Sequence, residues 1–171
     1  MQVSLAVGQG PYTVRITPAG TATSGIALAE IYDADPNSVP AQLIHVSTPG
    51  FGGTGERALS PGFAIRGTRS KRLLLRAVGP GLVQFGVADV MADPLLNVIP
   101  QGQTANVGGN NDWGGTATLR AAFTTAGAFA LEDGSKDAAV VLTLPPGVYS
   151  AAVVAVGNAT GTVLLEVYDI D

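Results

Sequence analysis

Residues 1–35 recur, in order and nearly in step, at the end of the same chain. "VSLAVGQGPYTVRITPAG" (3–20) falls on "VVLTLPPGVYSAAVVAVG" (140–157) at an offset of 137 residues. After a one-residue difference in the intervening loop, "SGIALAEIYDAD" (24–35) falls on "TGTVLLEVYDID" (160–171) at an offset of 136. Identical pairs include Leu5/Leu142, Gly10/Gly147, Tyr12/Tyr149, Gly20/Gly157, Gly25/Gly161, Glu30/Glu166, Tyr32/Tyr168, Asp33/Asp169 and Asp35/Asp171. A single-residue gap placed at a turn is what duplicated strands absorb. A period this long is too large for a solenoid rung and suits a whole domain. The repeat therefore predicts strands from the closing part of one module in residues 1–35, followed by a complete module in residues 36–171. The first segment is expected to pack on the main domain or on a neighbour, because Leu5, Tyr12, Leu28 and Tyr32 are too apolar for a solvated tail.

Each copy reads as strand, turn, strand, turn, strand. In "IALAEIYD" (26–33), Leu28, Glu30 and Tyr32 share one face, and Ala27, Ala29 and Ile31 share the other. Between the copies, "AQLIHVST", "GFAIRG", "KRLLLRAVG" and "LLNVIP" read as further strands. The segment near 116–126 is helical in pattern, with Leu119, Ala122 and Phe123 at helical spacing and Gly127 as its stop. The chain holds 23 Gly and 11 Pro among 171 residues, with 46% hydrophobic and only 13% charged residues. Such punctuation of apolar runs predicts an all-β fold, an antiparallel β-sandwich of jelly-roll or Ig-like type, with one short helix.

The same composition narrows function. A net charge of -4 and a pI near 4.8 weigh against a nucleic-acid partner. The absence of cysteine removes disulfides, thiolate metal sites and cysteine nucleophiles. Mean hydropathy is +0.32, yet the most apolar stretch, 138–155, is interrupted by Pro145, Pro146 and Gly147, so no membrane insertion is expected. Met1 is followed by "QVSLAVGQG", which lacks the basic start of a secretory leader. The chain is thus expected to be a mature or trimmed piece, or a protein that stays inside.

Several residue sets are candidates for chemistry. His45 is the sole histidine, so a multi-histidine metal site is impossible within one chain, and it reads as a satisfied strand residue. Asp33, Asp35 and Asn37 alternate as hard oxygen ligands do in a calcium loop. Ser38 stands where such a loop needs Gly, and an ordinary turn explains the same residues. Asn110, Asn111, Asp112 and Trp113 offer either a sugar-binding surface, with ring stacking and amide hydrogen bonds, or turn chemistry with Trp113 plugging one end of the sandwich. "RGTRSKR" (66–72) reads as a solvated hairpin loop. Arg76 lies on an apolar strand face beside Leu74, and Glu166 lies between Leu164 and Tyr168. Buried unpaired charge is costly, so the two are expected to pair across the sandwich. No residue set has the spacing of a catalytic constellation. A carboxylate pair of Asp112 with Asp133 is all that an enzyme reading could use, and no enzyme is expected.

Taken in order, "HVSTPGFGGTGERALSPGFAIRG", "KRLLLRAVGPGL", "GVADVMADPLLNV", "NNDWGG", "AFALEDGSKDAAVVLTLPPGVYSAAV" and "GTVLLEVYDID" resemble the tandem-repeat β-rich module of large secreted proteins from Verrucomicrobia-type bacteria. The resemblance covers 42–171 and recurs in 1–35. "LPPGVYSAAV" is also similar to the last strands of bacterial pre-peptidase C-terminal domains. These resemblances imply a non-catalytic role at the cell surface or outside the cell, in adhesion, a surface layer or a filament, with self-association or neighbouring repeats as partners. The alternative is a carbohydrate- or calcium-dependent binding domain attached to a secreted enzyme.

Overall fold

The computed structural model describes residues 12–21, 29–32 and 44–171, in two units, Met1–Leu43 and Ile44–Asp171. The second unit contains β1 (His45–Gly52), β2 (Gly62–Ile65), β3 (Lys71–Val78), β4 (Pro94–Pro100), β5 (Gly108–Asn110), α1 (Ala117–Ala126), β6 (Ala138–Leu144), β7 (Gly147–Ala155) and β8 (Gly161–Asp169). Two four-stranded sheets form, in the orders β1-β8-β3-β6 and β2-β7-β4-β5. First pairs with last, second with seventh, third with sixth and fourth with fifth, all antiparallel. Four strand pairs rolled up together in this way make a jelly roll.

The inner core lies where the sheets face each other. Along β7 the alternation is regular: Tyr149, Ala151, Val153 and Ala155 point inward and are buried. They meet Leu96 and Val98 of β4, Leu73 and Leu75 of β3, and Val163 and Leu165 of β8. Two-sided strands of this type hide one face and solvate the other. β3 departs from that rule, since every residue from Leu73 to Val78 is buried.

The reason is a third layer. α1 and the loops before and after it cover the outer face of the β1-β8-β3-β6 sheet. Leu74, Val78, Ala139 and Tyr168 on that face pack with Leu119, Ala122 and Phe123 of α1 and with Trp113 and Leu131. Burial on both sides accounts for the unbroken apolar run "LLL" in β3, which alternation alone does not explain. A helix of ten residues is marginal by itself and takes its stability from such packing. Its ends are well defined: the Thr116 hydroxyl accepts from the Leu119 amide, and Gly127 closes the helix at φ 65°.

Residues 66–70 connect strands in different sheets, β2 and β3, so this basic stretch is an exposed crossover rather than the expected hairpin. The three-residue β5 lies where the sequence reads as turn, because its two glycines hide the strand pattern. Space demands them: a Cβ on Gly108 would lie 2.5 Å from Leu142, and one on Gly109 would meet the Leu96 carbonyl.

Candidate functional site

A set of buried charged and polar groups lies between the helical layer and the sheet. Arg76 and Glu166 are directly opposed in the β3–β8 register, and Arg76 Nε lies 3.1 Å from Glu166 Oε2. The Arg76 side chain is fully buried and that of Glu166 is 5% exposed. The pair is thus formed within one sheet, on the face under α1, and not across the sandwich as the sequence leads one to expect. Strand alternation places both residues correctly; the covering layer leaves no trace in the sequence, so alternation alone does not distinguish this face from the inner one.

Each charge has further support. Arg76 Nη1 donates to the Phe129 carbonyl at 2.7 Å, and its guanidinium lies 4.3 Å from the Phe129 ring centroid and 4.7 Å from that of Phe123. Two aromatic faces therefore stand in for part of the lost hydration. Glu166 Oε1 accepts from the Tyr168 hydroxyl at 2.7 Å. Burial pushes the Tyr168 phenol well above its usual range, reinforced by the hydrogen bond to Glu166 and its negative charge. Burial pushes the Arg76 guanidinium down, opposed chiefly by Glu166.

His45 completes the cluster from the edge strand. Its ring stacks on Tyr168 with centroids 3.9 Å apart and planes parallel, and Nε2 lies 3.9 Å from Glu166 Oε1. Loss of hydration lowers its pKa, Glu166 pulls it back up, and Arg76 lowers it further. The imidazole is consequently held toward its neutral form despite the carboxylate beside it.

A second buried acid, Asp137, gave no signal in the sequence. Its carboxylate accepts from the amides of Gly79 (2.8 Å) and Gly81 (3.1 Å) and from the Ser135 hydroxyl (2.7 Å). It fastens the segment entering a short 3-10 turn, Pro80–Phe85. These donors replace the hydrogen bonds to water that burial takes from the carboxylate.

Trp113 is 1% exposed, so its ring is not open for a sugar to stack on, which corrects the exposed position a glycan surface requires. Its Nε1 donates to the Glu132 carbonyl at 3.0 Å, Phe123 packs against it, and the Arg120 guanidinium lies 4.9 Å from its ring. Its flanks are structural as well: the Asn110 carbonyl oxygen accepts from the Ala139 amide, while Asn111 and Asp112 lie exposed in the turn. Asp112 pairs with Lys136 at 2.9 Å and Asp133 pairs with Arg120, so each acid of the suggested carboxylate pair is engaged by its own cation. Beside Trp113 a shallow cleft of about 190 Å³ is lined by Arg120, Phe123, Thr124 and Leu131.

Asp33, Asp35 and Asn37, the calcium candidates, lie outside the described residues. Among the described residues, no cluster of three or more His, Asp or Glu side chains is arranged to hold a metal ion, and no helix is long and apolar enough to cross a membrane. Compared with protein-family models, with curated proteins and with solved structures, the chain matches none.

Proposed function

We propose that this chain is a non-catalytic structural unit of an extracellular repeat protein, serving adhesion, a surface layer or a filament. The observation that carries the reading is the reuse of one strand set. The sequence that forms β6 to β8 of the module is present again at 1–35, as expected of a tandem array. The polar chemistry of the module supports it too. Arg76, Glu166, Tyr168 and His45 face one another beneath a cover of aromatic rings, an arrangement that joins layers and fixes register.

Sedimentation velocity over a concentration series tests the reading, together with a glycan array run with and without EDTA. Concentration-dependent association without glycan retention is the expected result. Retention of a glycan that chelation abolishes would instead establish the calcium-dependent binding domain.

A further inference from the structure

The duplicated strands can be compared position by position with the places their counterparts fill. In β7, the inward side chains Tyr149, Ala151 and Val153 are 6%, 0% and 0% exposed; their matches Tyr12, Val14 and Ile16 are 51%, 69% and 54% exposed. In β8, Tyr168 is 7% exposed and its match Tyr32 is 72% exposed. A run of apolar side chains at strand spacing, open to solvent, marks an interaction surface rather than a finished exterior.

The local geometry of the two copies also agrees. The Tyr32 hydroxyl donates to Glu30 Oε1 at 2.8 Å, as the Tyr168 hydroxyl donates to Glu166 Oε1 at 2.7 Å. Gly20 and Gly157, at matching positions of the two copies, both have positive φ, 66° and 74°. The upstream copy thus holds the carboxylate in the arrangement that, in the module, faces a buried arginine.

We infer that residues 1–35 are closing strands for a second module built like residues 44–137, carrying the equivalents of β1 to β5, α1 and an arginine in the position of Arg76. Glu30 would meet that arginine, Tyr32 would take the Tyr168 position, and Tyr12, Val14 and Ile16 would fill the inner core. The partner is thus recognised by an apolar sheet face with one buried cation at its centre. Departures in the copy, Ala29 for Leu165 and Pro18 for Ala155, indicate a module that is related to residues 44–137 but not identical to it. The inference rests on the repeat-protein reading above. It extends that reading by naming the partner and the residues that recognise it.

Strand replacement in the full chain provides the test. Val163→Asp with Leu165→Asp drives β8 from its position, leaving residues 26–33 as the available replacement beside β1. Thr48 opposes Leu165 in the module, and Ala29 is the match of Leu165. Cysteines introduced by Ala29→Cys and Thr48→Cys should therefore join on oxidation in a chain that retains a cooperative denaturation transition. Ala29→Cys with Val46→Cys, two residues out of register, should join much less. Glu30→Gln should lower the midpoint of the β8-disabled chain and leave that of the unaltered chain unchanged. A β8-disabled chain that is unfolded or aggregated, a disulfide indifferent to register, or a Glu30→Gln effect equal in both backgrounds overturns the inference. None of these outcomes bears on glycan binding or localisation, so the repeat-protein reading stands or falls separately.

Discussion

Arg76 and Glu166 carry opposite charges in a place where either alone would be stranded. Removing one member of a deeply buried pair costs on the order of 3–5 kcal/mol, whereas replacing both with apolar groups of similar volume is often close to neutral. Arg76→Met should therefore lower the stability of the module by about that amount in chemical denaturation. Arg76→Met combined with Glu166→Leu should be more stable than the single variant, which is the signature of coupling. An Arg76→Met chain as stable as the parent would reject the pairing. His45 provides a second residue-scale test. Its pKa is depressed in the folded state, so its contribution is fully present above the unfolded value near 6.5 and is lost as pH falls through the lower folded value. The unfolded chain takes up that proton first. Stability should decline as pH falls below about 6.5, and His45→Gln should flatten that limb.

At the scale of elements, two glycines hold a strap against the sheet. The Met91 amide donates to the Thr162 carbonyl at 2.8 Å, and the Thr162 amide donates to the Asp89 carbonyl at 2.7 Å. A Cβ on Gly79 would run into the Met91 carbonyl oxygen, and one on Gly161 into the Met91 amide. Gly161→Ala should displace the strap and cost several kcal/mol, on the order of other overpacked or strained sites, read from the denaturation midpoint. A Gly161→Ala variant that keeps the parental midpoint would show that the strap yields.

Much of this element layout is visible in the sequence. Strand alternation places Arg76 with Leu74 and Glu166 with Tyr168; Gly127 and the spacing of Leu119, Ala122 and Phe123 define α1. The covering layer is not visible, because an outer strand face reads the same whether water or a helix lies over it. For that reason the sequence points across the sandwich, while the pair lies within one sheet. Trp113 was ambiguous for a related reason: Asn-Asn-Asp and Gly flanks record the turn and not which way the ring faces. Asp137 gives no signal because two of its donors are backbone amides 58 and 56 residues away, which no residue pattern encodes.

For the molecule as a whole, the second unit has its own sheets and core, while the described part of the first carries apolar side chains that are open to solvent. Deleting residues 1–43 should leave the unfolding transition of the module in place and abolish concentration-dependent association, as read by sedimentation. A far-ultraviolet dichroism spectrum of β type, unchanged by reducing agent, is expected of both forms, since the chain has no disulfide to lose.

The pairing of first strand with last also sets a sequence of events during synthesis. β1 cannot meet β8 until residues 53–160 have been made and gathered into a loop. A copy of the β8 sequence, 26–33, is already present upstream, separated from His45 by little more than residues 34–44. Closing the shorter loop is favoured by about 2 kcal/mol of chain entropy. If the copy competes for β1 during refolding, the full chain should show a slow phase that deletion of residues 1–43 removes, so a repeated strand sequence would cost time.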